Sequence, residues 1–361
     1  MNCSFSCDKD KETFNKIFQY NLRLLCGNNQ EKINTFGNII CNAINTVKIV
    51  PNGPDEYLDS KRLNGETISN GLGISDIYMK GYSNAPKFKY NQIKHTFSHE
   101  LWHAIYAIMN RSKDGFDKKG NRIIWIGKIK GKNYFGAGGT IAERETGIRY
   151  GKLFEETMMD IKASISLHEF DNESKTNNPE ITANTILSEH IDKWSSNDQS
   201  GYAIFSSITR LMIASCMNEP NIDYHYWIQQ GETIDDMKTR KSNGTIMYVN
   251  DFLYGIMYDP IHIMEEYDKY MGEGEYLTLL KITDTIYEQG LTINKTIDPN
   301  LVKKVMKKIS QFANLRTTDL KQKGVLSDDE IRTLSGNYNR IWNNMQKEYG
   351  VYFSQDEIRN I

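Results

Sequence analysis

The stretch that decides the fold is HTFSHELWHAI, residues 95–105, which contains the pattern H-E-x-x-H. Four residues along an α-helix advance about 6 Å and turn roughly 40° past a full circle. His99 and His103 therefore point the same way and can both reach one zinc ion at about 2 Å. Glu100 lies roughly 60° around the helix from His103. The pattern predicts that this carboxylate polarises a zinc-bound water and carries its proton to a leaving amine.

The residues around the motif favour a buried helix. Positions 96–98 and 101–102 carry no charge, and no helix breaker occurs between His99 and Met109. We expect His95, one turn before His99, to be buried or to support a ligand rather than to bind the metal itself. The residues expected to pack this helix against the core are Phe97, Leu101, Ala104, Ile105 and Ile108.

A third protein ligand must come from another segment, because two histidines leave zinc under-coordinated. The run GKLFEETMMDIKA, residues 151–163, places Glu156 and Asp160 four residues apart on one face of a predicted helix. We expect Glu156 to bind zinc and Asp160 to accept the N–H of a ligating histidine, which fixes its tautomer. Two other acids, Glu143 and Glu145 in GTIAERETGIRYG (residues 139–151), remain open as rival ligands.

Together the two motifs resemble the gluzincin group of zinc metallopeptidases, the thermolysin-like clan, in which H-E-x-x-H on one helix is completed by E-x-x-x-D on the next. The resemblance is confined to residues 91–164. It implies that zinc is held by His99, His103 and Glu156, with Glu100 as general base and acid and Asp160 behind a ligand. It also implies a zincin-like architecture, with a cleft between the active-site helix and a helical subdomain.

The layout of the chain predicts an α+β protein. Helical patterns at the N-terminus precede extended runs near residues 46–50 and 74–79, which suit a small mixed sheet. The segment from Arg122 to Gly136 suits a hairpin that could serve as a flap or offer an edge to an extended peptide. After Gly151 the pattern is mainly helical, with a polar loop from Phe170 to Pro179. We predict two parts, residues 1–150 with the sheet and active-site helix and residues 151–361 as a helical subdomain.

Composition narrows the setting and the partners. The 361 residues are 39% apolar and 25% charged, as in a globular protein. With 44 basic and 46 acidic residues, the formal net charge of −2 offers no general field for nucleic acid or an anionic membrane. No signal peptide or membrane span is predicted, and the five cysteines are odd in number and scattered, so we expect reduced thiols and a cytoplasmic location.

The sequence thus predicts a zinc metallopeptidase that acts on a peptide or protein substrate and leaves its oligomeric state open. A zincin-fold module that holds zinc without turnover is the alternative, and a helical interaction protein with an accidental motif is a third hypothesis. The intact Glu100 favours the enzyme, because a structural zinc site has no need of this acid. Five residues are candidates for a donor to the developing oxyanion: Tyr150, Tyr202, Tyr224, His225 and Tyr226.

Overall fold

The computed structural model describes residues 11–26, 30–50, 65–69, 75–80, 87–109, 124–137, 140–171, 205–215, 260–292 and 296–359. These residues form an α+β protein that is rich in helices and carries two small sheets. The first half contains α1 (Lys11–Cys26), α2 (Gln30–Ala43), β1 (Ile44–Val50), β2 (Gly65–Ser69), β3 (Ser75–Lys80), α3 (Lys87–Met109), β4 (Ile124–Ile129), β5 (Lys132–Ala137), β6 (Thr140–Glu143) and β7 (Arg149–Tyr150). The second half contains α4 (Lys152–Asp171), α5 (Ser206–Ala214), α6 (Pro260–Met271), α7 (Glu275–Leu291), α8 (Pro299–Gln322), α9 (Asp328–Tyr349) and α10 (Gln355–Arg359).

The first sheet has the order β1-β3-β2 and is mixed, as expected. Strand β3 pairs in parallel with β1 and antiparallel with β2. Strand β2 was not foreseen, because its sequence GETIS is short and contains only two β-branched residues, Thr67 and Ile68. It occupies one edge of the sheet and packs beside α3. This strand therefore brings an unpredicted element next to the H-E-x-x-H helix.

The second sheet, of order β4-β5-β6-β7, begins with the predicted hairpin. Strands β4 and β5 pair antiparallel around the turn at Lys130 and Gly131, which have φ values of 48° and 84°. Positive φ at both turn residues matches the right-handed twist of the flanking strands. Gly127 lies at an irregularity in β4, where its φ is 102°.

A buried apolar cluster ties the two halves together. It extends from Phe14 of α1 through Leu101 of α3 and Met158 of α4 to Ile309 of α8 and Met345 of α9. Four of the side chains predicted to pack α3 against the core are buried: Phe97, Leu101, Ala104 and Ile105. The fifth, at position 108, lies outside the side chains that the structure describes. The division into residues 1–150 and 151–361 stays a prediction.

The N-terminus of α4 is held by a side chain from much later in the sequence. Asp284 of α7 accepts the backbone N–H of Gly151 at 2.8 Å and of Leu153 at 3.2 Å. These N–H groups have no partner within the helix, so the carboxylate satisfies them and complements the helix dipole. Because Glu156 lies in the second turn of α4, the cap fixes the start of the helix that carries it.

The structure differs from two predictions, one about the cysteines and one about the loop that begins at Phe170. Cys41 on α2 is disulfide-bonded, which departs from the expectation of reduced cysteines. Pairing depends on the spatial distance between two Cα atoms, which scattered sequence positions do not reveal. The polar segment expected as a loop from Phe170 begins inside α4, which ends at Asp171, and residues 172–179 lie outside the described part.

Among the described helices, none is both long and apolar enough to cross a membrane.

Candidate metal centre

Helices α3 and α4 pack against each other and bring the three predicted ligands together. His99 and His103 lie one turn apart on α3, with their Nε2 atoms 3.1 Å from each other. The Oε2 atom of Glu156 lies 3.2 Å from Nε2 of His99 and 3.5 Å from Nε2 of His103. Among the described residues, these three form the group of histidines and acids whose spacing suits a metal ion.

The triangle of ligand atoms has the size that a tetrahedral zinc ion requires. An ion held at about 2.0–2.1 Å by each atom needs the atoms roughly 3.3 Å apart. The three observed edges bracket this value, and two imidazoles with one carboxylate are a ligand set that zinc accepts in catalytic sites. The spacing of the three ligand atoms therefore fits the ion.

One side of the triangle faces solvent. The side chain of His99 is 6% exposed, whereas His103 is 18% and Glu156 is 24% exposed. Catalytic zinc sites keep one coordination position for water or substrate, while structural sites close it with a fourth protein ligand. A fourth ligand from solvent would therefore approach from the side of His103 and Glu156.

The three groups form a charged network. Burial opposes the charged form of His99, but the neighbouring carboxylates of Asp160 and Glu156 outweigh it and raise its pKa to about 10. Burial likewise opposes ionisation of Glu156, yet the charges of His103 and His99 hold its pKa far below the ordinary value. The pKa of His103 is also raised, because the Glu156 carboxylate outweighs burial. The network therefore pairs an ionised Glu156 carboxylate with a cationic His99 imidazole, whose proton a metal ion would displace.

Asp160 lies behind the triangle. Its Oδ1 atom is 3.7 Å from Nδ1 of His99, which leaves Nε2 of that ring facing the other two ligands. This separation is longer than an ordinary hydrogen bond, and the two groups form an ion pair. The same oxygen is 3.4 Å from Nε2 of His95, which is also 3.3 Å from Oγ of Ser164. His95 is buried and contacts Asp160, and it is not a member of the triangle.

Glu100 is buried beside the ligands and does not belong to the triangle. Burial raises its pKa, against the opposing positive charges of His99 and His103. A raised pKa suits a group that must accept and then release a proton near neutral pH. Its Oε2 atom accepts a hydrogen bond from the Thr67 hydroxyl at 2.8 Å. Thr67 belongs to the unforeseen strand β2, and nothing in the local sequence signalled this contact.

The rival acids are engaged elsewhere. Glu143 on β6 pairs with Nζ of Lys132 at 2.8 Å, and Glu145 accepts a hydrogen bond from Nδ2 of Asn133 at 2.7 Å. Both contacts hold the β5–β6 pair together, so neither acid joins the triangle. Burial raises the pKa of Glu155, the neighbour of Glu156 in the sequence.

The predicted oxyanion donors gain no support from the geometry. Tyr150 on β7 lies under Nζ of Lys281 from α7, 4.8 Å from the centre of its ring. Its role as a donor stays a prediction. The remaining candidates, Tyr202, Tyr224, His225 and Tyr226, lie outside the described residues.

Comparisons of the chain with protein-family models, with curated proteins and with solved structures find no match.

Proposed function

We propose that this protein is a zinc-dependent peptidase of the gluzincin type with a zincin-like fold. The observation that carries the proposal is the triangle of His99, His103 and Glu156, whose edges suit zinc and whose open side would admit a substrate. Zinc bound there would supply Lewis-acid activation of water and of a substrate carbonyl. The substrate class that fits this chemistry is a peptide or protein.

The protein's own residues have separate tasks in this proposal. Glu100 accepts a proton from the attacking water and then donates it to the leaving amine. Asp160 holds the His99 ring so that Nε2 faces the metal site. Asp284 keeps the start of α4, and with it Glu156, against the second half of the chain. A buried general base favours the peptidase over the alternative, a module that holds zinc without turnover.

The test combines metal analysis with peptide cleavage. Purified wild-type protein, Glu100→Gln and His99→Ala are assayed for zinc content by mass spectrometry and for cleavage of a mixed peptide library. We expect about one zinc per chain in wild type and Glu100→Gln, and loss of zinc in His99→Ala. Cleavage should fall by about 10²- to 10⁴-fold in Glu100→Gln, the size of a general acid–base contribution.

A matched control separates the site from the protein surface. Glu145→Gln makes the same carboxylate-to-amide change at an exposed rival acid, and it should retain both zinc and cleavage. Stoichiometric zinc with no cleavage of any peptide by wild type would favour the binding module. A Glu100→Gln protein as active as wild type would refute the proposed mechanism.

A further inference from the structure

The hydroxyl of Thr67 makes a contact that the catalytic scheme above does not use. Thr67 is the central residue of β2, opposite Ile77 of β3. Directly opposed residues in an antiparallel pair place their side chains on the same face of the sheet. Ile77 is fully buried, so Thr67 also points toward the interior, where α3 packs beside β2. The edge strand therefore presents this hydroxyl to the active-site helix.

Two oxygens of Glu100 lie within reach of that hydroxyl. The Oγ1 atom of Thr67 is 2.7 Å from the backbone oxygen of Glu100 and 2.8 Å from its Oε2 atom. A threonine hydroxyl has one proton, so it can donate fully to only one of these acceptors at a time. An ionised carboxylate is the stronger acceptor, because a charge-assisted hydrogen bond is about twice as strong as a neutral one.

We infer that Thr67 is a positioning residue for Glu100, which makes the edge strand β2 part of the catalytic apparatus. The hydroxyl fixes Oε2, so the buried carboxylate keeps one orientation and leaves Oε1 for the proton of the attacking water. A glutamate side chain has several rotatable bonds, and a misplacement of about 1 Å in a reacting group can cost roughly a hundredfold in rate. This inference rests on the proposed peptidase function.

The kinetic test removes the hydroxyl and then restores it. Thr67→Val keeps the shape of the side chain without the donor, and Thr67→Ser returns the donor without the methyl group. We expect Thr67→Val to lose about 10- to 100-fold in kcat with little change in KM or zinc content, the size of a hydrogen bond to a charged group. Thr67→Ser should recover most of that loss. The control is Thr278→Val, which removes a partly buried hydroxyl whose bond goes to the backbone oxygen of Gly274.

A second measurement does not depend on turnover. The midpoint of thermal unfolding is compared among metal-free wild type, Thr67→Val, Glu100→Ala and the double variant. If the hydroxyl serves the carboxylate, Thr67→Val lowers the midpoint by several degrees in wild type and by clearly less in the Glu100→Ala background.

The outcomes separate the two claims. Equal shifts in both backgrounds would mean that the hydroxyl serves only the helix carbonyl, and would overturn the inference even if wild type cleaves peptides. Unchanged kcat in Thr67→Val, or a loss that Thr67→Ser does not recover, would overturn it as well. Absence of cleavage by wild type would instead refute the proposed function. The unfolding comparison would still show whether the Thr67 hydroxyl binds the carboxylate or only the backbone oxygen of Glu100.

Discussion

The carboxylate that caps α4 should make the stability of the protein depend on pH in an unusual direction. Asp284 is only 8% exposed, and burial raises its pKa to about 6 despite the backbone N–H groups of Gly151 and Leu153. The unfolded chain loses this proton near pH 3.9. Between pH 4 and 6 Asp284 is therefore protonated more often in the folded protein than in the unfolded chain, and its contribution to stability falls as the pH rises.

The magnitude follows from the difference between the two pKa values. A difference of about two pKa units is worth about 2.7 kcal/mol in full, at 1.36 kcal/mol per unit. Part of this change occurs below pH 4, so roughly 2 kcal/mol remains between pH 4 and pH 7. Asp284→Asn cannot titrate. The difference in the free energy of unfolding between wild type and Asp284→Asn should therefore shift by about 2 kcal/mol against wild type from pH 4 to pH 7. Other titrating groups cancel in this difference.

The assay is urea denaturation of metal-free wild type, Asp284→Asn and Asp284→Ala at pH 4, 5, 6 and 7. Asp284→Ala serves as the control, because it also cannot titrate but leaves both N–H groups without an acceptor. It should show the same pH-dependent shift as Asp284→Asn, together with a constant further loss of about 1–3 kcal/mol. A difference that stays constant with pH would refute the reasoning. A shift in favour of wild type would mean that the helix N-terminus outweighs burial.

Three further predictions concern the metal centre and its support. Asp160→Asn should weaken zinc binding about 10- to 100-fold by loosening the His99 ring; titration against a zinc buffer measures this, and unchanged affinity would contradict the role of Asp160. Because the pKa of His99 is about 10 without metal, zinc must displace its proton, so affinity should rise about tenfold per pH unit from pH 6 to 8. Calorimetry in buffers of different ionisation enthalpy should detect about one proton released, and none released would rule this linkage out. Phe97→Ala should cost about 3–5 kcal/mol in urea unfolding, because the ring is fully buried with its centre 4.4 Å from that of Phe14; a loss below 1 kcal/mol would contradict this packing.

The residues of the candidate site were predictable where local periodicity sets their geometry. Helical spacing alone puts His99 and His103 on one face, and it puts Glu156 and Asp160 on one face of the next helix. Glu143 stayed open as a rival of Glu156, because the sequence does not show which side chains this acid meets; in the structure it pairs with Lys132. Their assembly into a triangle is a geometric finding, whereas their roles in zinc binding and hydrolysis stay predictions.

Contacts between distant segments could not be predicted in this way. Thr67 comes from a five-residue edge strand without an alternating pattern, so its sequence gave no reason to place it beside Glu100. Asp284 lies 133 residues from Gly151. The local sequence around a single helical aspartate does not indicate which backbone N–H groups its carboxylate will bind. Both contacts follow from how α3 and α4 pack against their neighbours, which depends on the whole core and not on a local repeat.

The size of the triangle formed by His99, His103 and Glu156 also limits which ions it would select. Calcium prefers six to eight oxygen ligands at 2.3–2.6 Å, and magnesium prefers an octahedron of oxygens, so two imidazole nitrogens at this spacing disfavour both. Cobalt(II), nickel(II) and copper(II) accept imidazole and follow the general affinity order of first-row metals, so they would compete with zinc. The ion carried in a cell would then depend on metal supply as well as on the protein. Replacement of zinc by cobalt(II) would give the centre a visible absorption spectrum that reports coordination directly.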